Sequence, residues 1–294
     1  MRLRSLTGVV VAAACLAGAS CGGDASHADG TTTTASTTTA PTTTADPTAD
    51  CPDAPPERLV PQVDGEIPHD PTAFTQGLVV HRGELFESTG LENRSTIRAM
   101  DPATGQIRSD VALGPGTFAE GLAVGADGDL VQLTWKEGRA YVWDPTTLEQ
   151  VGGFEYQGEG WGLTTLDDGT LVQSDGSTRL TERDPVDFSV TDTWTVARSD
   201  GAVDQLNELE WDGTHLWANR WRTDEIVRID PTCRRVDGVV DASSLESLAR
   251  ADAAASGGPG IDVLNGIAKV PDTDQFLVTG KLWPSIYRVR FVPA

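Results

Sequence analysis

The sequence predicts an all-β fold built from one repeated four-stranded unit, and three observations carry this. A short motif recurs: Phe74-Thr-Gln-Gly-Leu78, Phe118-Ala-Glu-Gly-Leu122, Glu159-Gly-Trp-Gly-Leu163, Leu206-Asn-Glu-Leu209 and Leu264-Asn-Gly-Ile267. Between these openings, short alternating apolar runs are separated by Gly/Asp turns, the period-2 signature of strands. An Asp-Pro pair closes the third run four times, at Asp101-Pro102, Asp144-Pro145, Asp184-Pro185 and Asp230-Pro231, where proline ends a strand and sets a turn.

Within a unit, the motif opens the first strand. Leu85-Phe-Glu-Ser and Leu130-Val-Gln-Leu are examples of the second. A third runs to Asp-Pro and a fourth follows the turn. Four-stranded units of roughly 40–50 residues are propeller blades. The last interval is longer because it absorbs an Ala-rich stretch, Leu245 to Ile261, read as a short helix plus loop. The fifth unit runs out after its third strand, Ile286-Tyr-Arg-Val-Arg-Phe291, and residues 57–67 can supply the missing fourth. The prediction is a five-bladed β-propeller over about 57–294, closed by an N-terminal strand joining the C-terminal blade, which leaves fewer open edges.

Upstream of it, residues 1–20 read as a signal peptide: two arginines, an apolar run, then small residues. Cys21, followed by Gly22-Gly23-Asp24, has the position of a lipidated first residue; Cys15 competes with it, and plain cleavage is the third reading. Residues 21–50 form a Thr-rich disordered tether, too polar to offset the cost of ordering. The folded part is then 51–294, expected as a monomer, exported, and either held at the cell surface as a lipoprotein or secreted. No later stretch is apolar enough to span a bilayer. In an oxidising location, Cys51 and Cys233 are the two remaining candidates for a disulfide.

Charge excludes one class of partner. The chain has 294 residues with 22 Lys+Arg against 44 Asp+Glu, a net charge of -22, which repels nucleic acid. Neither Gly-x-Ser-x-Gly nor His-Glu-x-x-His occurs, against common serine hydrolases and zinc peptidases. His69 lacks a metal-type partner spacing and reads as a turn residue.

In a propeller, residues just before each first strand and just after each second strand meet at one mouth. The first ring holds Phe74, Gln76, Glu120, Trp161, Asn207, Glu208 and Asn265; the second holds Thr89, Trp135, Lys136, Asp175, Trp221, Lys281 and Trp283. A carboxylate, a lysine, asparagines and tryptophans outline an aromatic pocket with a few directed polar groups. Trp143, Trp194, Trp211 and Trp217 lie inside strands and read as packing.

On Pro68-His-Asp-Pro-x-Ala-Phe-Thr-Gln-Gly-Leu78, Glu120-Gly-Leu122, Leu133-Thr-Trp-Lys136, Glu159-Gly-Trp-Gly-Leu-Thr164, Leu206-Asn-Glu-Leu-Glu210, Leu264-Asn-Gly-Ile-Ala268 and Thr279-Gly-Lys-x-Trp283, the chain resembles the plant-type and bacterial glutaminyl-peptide cyclotransferases. The likeness spans about 68–283. Ala119 stands where that family often has glycine, and Arg220 separates Asn219 from Trp221. The resemblance implies cyclisation of an N-terminal glutamine of a peptide or protein to pyroglutamate, releasing ammonia. Glu120 would be general base, then general acid; Lys281 would stabilise negative charge on the amide oxygen, and Asn207 and Gln76 would orient amide and amine. Phe74, Trp135, Trp161 and Trp221 would wall the substrate. No cofactor or metal is expected. Two other readings use the same mouth: a non-catalytic surface propeller that binds peptides or proteins, and a lactonase-like hydrolase needing a metal cage.

Overall fold

The alternating runs form strands throughout. The computed structural model, which describes residues 51–258 and 260–294, is all-β with one short helix. The expected signal peptide, Cys21 and the tether of 21–50 lie outside the described residues.

Strand β1 (Glu57–Pro68) comes first. One meander follows, β2 (Thr75–His81), β3 (Glu84–Thr89), β4 (Thr96–Met100) and β5 (Ile107–Ala112). A second holds β6 (Ala119–Val124), β7 (Leu130–Thr134), β8 (Arg139–Trp143) and β9 (Gln150–Glu155), and a third β10 (Leu163–Thr165), β11 (Leu171–Ser174), β12 (Arg179–Arg183) and β13 (Val190–Thr195). A small hairpin, β14 (Ala197–Arg198) and β15 (Gly201–Ala202), precedes β16 (Leu206–Trp211), β17 (Leu216–Arg220), β18 (Glu225–Asp230) and β19 (Arg235–Asp241). Helix α1 (Ser243–Ala255), in the Ala-rich insertion, leads to β20 (Leu264–Lys269), β21 (Phe276–Gly280) and β22 (Ser285–Pro293).

β1 completes the last group. It pairs antiparallel with β22, from Leu59 opposite Pro293 to Pro68 opposite Ser285. Its first residues run parallel to β19, Glu57 opposite Gly238 and Leu59 opposite Val240. The edge that β22 would otherwise expose is therefore covered. Cys51 and Cys233 form the disulfide expected from the sequence, a bond that persists in oxidising compartments. No described helix is long and apolar enough to cross a membrane.

The four Asp-Pro pairs share one device. Asp101 accepts hydrogen bonds from the backbone N–H of Ala103 and Thr104, Asp144 from Thr146 and Thr147, Asp184 from Val186 and Asp187, and Asp230 from Thr232 and Cys233. The carboxylate imitates a turn carbonyl, so it stops the strand together with the proline.

Apolar side chains cluster between neighbouring groups of strands. Val79, Phe86 and Ile97 pack on Leu122, Leu130 and Trp143; Ile67, Leu78 and Leu85 meet Ala268, Leu277 and Ile286 across the closure. On α1, Leu245 and Ala249, four residues apart on one face, join Trp217, Phe276 and Tyr287. Trp143, Trp194 and Trp217 sit in such clusters and Trp211 packs against one. Each fully buried Leu or Ile contributes roughly 1.5–3 kcal/mol relative to exposure.

The inner strands touch in the closed order β2, β6, β10, β16, β20 and back to β2. The glycine of the motif permits this approach. A Cβ on Gly77 would lie 2.5 Å from Leu122 N, one on Gly121 2.5 Å from Leu163 N, and one on Gly162 2.0 Å from the Asn207 carbonyl oxygen. In the fourth unit Glu208 takes the glycine's place. Its carboxylate reaches across to β2 and β20, accepting from Leu78 N at 3.2 Å and Ile267 N at 2.9 Å.

Candidate active site

Four inner strands slip register at the same point of the motif. The slips fall between Thr75 and Gly77, Ala119 and Leu122, Leu206 and Leu209, and Leu264 and Ile267. A bulge frees side chains from the ladder and re-aims them. The residues it frees include Gln76, Glu120, Asn207 and Asn265. Trp161 holds the equivalent place just before β10, with its N–H donating to the Ser174 carbonyl.

These positions build a cup of about 320 Å³, lined by Phe74, Gln76, Phe118, Glu120, Trp135, Trp161, Asn207, Trp221, Arg222, Asp262, Val263 and Lys281. Its wall is a chain of rings. Phe74 meets Phe118 edge-on at 6.3 Å, Phe118 meets Trp135 at 5.5 Å, and Trp161 meets Trp221 edge-on at 5.3 Å. Lys281 Nζ stands 4.7 Å above the Phe74 ring.

The hydrogen bonds orient the polar floor. Asn265 Nδ2 lies 3.1 Å from the Thr75 carbonyl and 3.3 Å from Gln76 Oε1. The Thr75 carbonyl can only accept, so it fixes the Asn265 amide, which in turn fixes Gln76. Gln76 Nε2 is left to donate to Glu120 Oε1 at 3.1 Å. Asn207 is 2% exposed, and its Oδ1 is buried without a partner among the described residues.

Glu120 is 5% exposed and Lys281 4%. Burial drives the Glu120 carboxyl well above the usual carboxylate range; Lys281 opposes this, while Glu137 and Glu159 reinforce it. Burial pushes the Lys281 ammonium down, against the pull of Glu120 and Asp262. Desolvation thus draws both groups towards neutrality, and mutual attraction draws them towards charge.

The turn that carries Lys281 is latched to the strand that carries Gln76. Leu282 N donates to the Ala73 carbonyl at 2.7 Å and His69 N to the Pro284 carbonyl at 2.8 Å. His69, read from sequence as a turn residue, instead buries its ring: Nδ1 donates to the Trp283 carbonyl at 2.8 Å and Nε2 to Glu87 Oε1 at 3.0 Å. A carbonyl and a carboxylate only accept, so the ring donates from both nitrogens and is an imidazolium. Burial alone would lower the His69 pKa, but Glu87 and the Trp283 carbonyl raise it. Thr75 also donates to Glu87, joining the latch to β2.

The structure brings together Gln76, Glu120, Asn207, Lys281, Phe74, Trp135, Trp161 and Trp221. It does not bring the rest of the two rings there. Asn265 supports Gln76, Glu208 ties inner strands, Thr89 pairs with Thr96, Asp175 caps the turn at Ser177, and buried Trp283 donates to the Asp262 carbonyl. Phe118, Arg222, Asp262 and Val263 were missed. Phe118 was legible, because it aligns with Phe74 in the motif. A larger groove of about 690 Å³ beside β1, lined by Arg58, Asp200, Asp224, Asp241 and others, has no such buried acid and lysine. Among the described residues no group of three or more His, Cys, Asp or Glu side chains is placed to hold a metal ion.

Comparisons with known proteins point to one family. The sequence profile of a family described as glutamine cyclotransferase matches residues 32–291. A glutaminyl-peptide cyclotransferase of Arabidopsis thaliana is 39% identical over 235 residues, which span 79% of this chain and 72% of the plant protein. The crystal structure of Myxococcus xanthus glutaminyl cyclase superposes with a TM-score of 0.74 at 39% identity, covering 81% of this chain and 99% of that one.

Proposed function

Because the chain belongs to the glutamine cyclotransferase family, we propose that its cup converts the N-terminal glutamine of a peptide or protein to pyroglutamate and ammonia. The observation that carries this is Glu120: a buried carboxyl of high proton affinity, oriented by Gln76, in an aromatic cup shared with Lys281.

The chemistry needs one proton moved twice. Glu120, ionised, takes a proton from the α-amine as its nitrogen attacks the side-chain amide carbon. The same proton then goes to the amide nitrogen, the C–N bond breaks, and ammonia leaves. The Lys281 ammonium offsets the negative charge that develops on the amide oxygen. The unpartnered Asn207 Oδ1 accepts from the amine or the amide N–H. Gln76 acts on this chemistry through Glu120, whose carboxylate it holds. The rings of Phe74, Phe118, Trp135, Trp161 and Trp221 fold the glutamine side chain back onto its own amine, and this proximity lowers the barrier.

We read the five groups of strands as propeller blades, with β1 completing the last, and residues 51–294 as the catalytic domain. Residues 1–20 are proposed as the signal peptide, Cys21 as a lipidated anchor, 21–50 as the tether, and the exported enzyme as a monomer, held at the cell surface or secreted. Incubating the protein with a Gln-initiated peptide tests the activity: ammonia release and a mass loss of about 17 Da support it, and binding without mass loss refutes it.

A further inference from the structure

The aromatic wall comes from different sheets, and one side chain joins its halves. Trp135 follows β7 and Trp161 precedes β10. Trp135 Nε1 donates to Glu159 Oε2 at 2.8 Å, and Trp161 Nε1 donates to the same oxygen at 3.1 Å. The other oxygen lies 3.6 Å from Lys136 Nζ, which stands 3.8 Å over the Trp135 ring. Without this shared acceptor the wall is two separate groups, Phe74–Phe118–Trp135 and Trp161–Trp221.

We propose that Glu159 is a positioning residue that locks Trp135 and Trp161 into one surface for the glutaminyl end of the substrate. This rests on the function proposed for the cup. Hydrogen bonding at the indole edges leaves the ring faces for apolar contact, and one anionic acceptor for two donors sets their relative angle more tightly than two independent bonds. The carboxylate suits the task because burial is slight and the bonds from Trp161, Trp135 and Lys136 outweigh it, holding its pKa below the usual range. Its charge has a second effect: it is among the groups that keep the Glu120 proton affinity high. Glu159 therefore couples the shape of the wall to the acid strength of the floor without touching the reacting atoms.

Glu159→Gln separates these roles from mere folding. The amide oxygen can still take both indole N–H groups but without the negative charge, and the amide N–H groups meet Lys136 where the second carboxylate oxygen stood. In the full-length protein, the indole N–H resonances of Trp135 and Trp161 in ¹H–¹⁵N spectra are expected to shift. KM for a Gln-initiated peptide is expected to rise about tenfold, the scale of one charge-assisted hydrogen bond, with kcat nearly unchanged. The acid limb of the kcat profile should move to lower pH, because a negative charge near Glu120 is gone. Glu159→Asp, shorter but charged, should restore the pH limb and not the KM. Unshifted indole resonances with a wild-type KM in Glu159→Gln would overturn the proposal, as would equal losses in kcat and KM terms that Glu159→Asp fully repairs. The indole shift decides the tie even if no Gln-initiated peptide is turned over, an outcome that would sink only the proposed activity.

Discussion

Gln76 donates a 3.1 Å hydrogen bond from its amide nitrogen to Glu120 Oε1. Its own carbonyl is held by Asn265, which is held by the Thr75 carbonyl, so the carboxylate is aimed by a chain of fixed amides. Gln76→Ala is expected to lower kcat/KM about 10–100-fold, since a hydrogen bond to a charged group contributes roughly 1.5–3 kcal/mol and about 1.4 kcal/mol is tenfold. Steady-state kinetics on a Gln-initiated peptide check this, and wild-type kinetics would remove Gln76 from the machinery.

Lys281 sets where the acid titrates. Burial raises the Glu120 carboxyl and Lys281 lowers it. The shuttle starts from ionised Glu120, so kcat falls as pH drops through that pKa. Lys281→Met removes the opposing charge, raises the Glu120 pKa further, and should move the acid limb to higher pH. A kcat loss of about 10²–10³ is expected from the missing electrostatic stabilisation. The kcat profile is the one to measure, because kcat/KM also reports the free peptide amine.

The His69–Glu87 pair makes a stability forecast with a definite sign. His69 is raised above its ordinary 6.5, so its contribution is complete below 6.5 and is lost as pH climbs through the raised value. Burial would raise Glu87 above its ordinary 4.5, but His69 and Arg98 hold it below, so its contribution is complete above 4.5 and fades as pH falls through the lowered value. Between those two ordinary values both are fully present. There, His69→Asn should cost about 3–5 kcal/mol, as breaking a buried pair does, and lower Tm on the order of 10 °C. Thermal melts should show the gap to wild type narrowing at alkaline pH; a gap independent of pH would contradict the imidazolium.

Glu208 ties three inner strands with two acceptor oxygens. Glu208→Ala strands the N–H groups of Leu78 and Ile267, at about 1–3 kcal/mol each. Urea unfolding should show a loss of about 2–6 kcal/mol; unchanged stability would mean that water serves those donors equally well.

Much of this was readable beforehand. The motif register alone put Gln76, Glu120, Trp161, Asn207 and Asn265 at equivalent positions: one repeated bulge aims Gln76, Glu120, Asn207 and Asn265, and Trp161 holds the matching place just before β10. It could not separate residues that share the bulge: Asn207 faces the cup while the adjacent Glu208, at the position glycine holds in the other units, turns to the backbone of β2 and β20. The role of His69 was hidden because its partners, Glu87 and Trp283, are set by the closure of the ring and not by local pattern. Nothing in the spacing singles out Glu159, since a shared acceptor for two indoles depends on side-chain geometry that spacing does not encode.

The central claim is that Glu120 carries the proton from the amine to the leaving nitrogen. The most direct measurement is ammonia release and mass loss on a Gln-initiated peptide by wild type and by Glu120→Gln, an isosteric change that keeps the cup's shape. A fall in kcat of about 10²–10⁴ with KM near wild type is expected for loss of a general acid–base group. Undiminished ammonia release by Glu120→Gln would contradict the account.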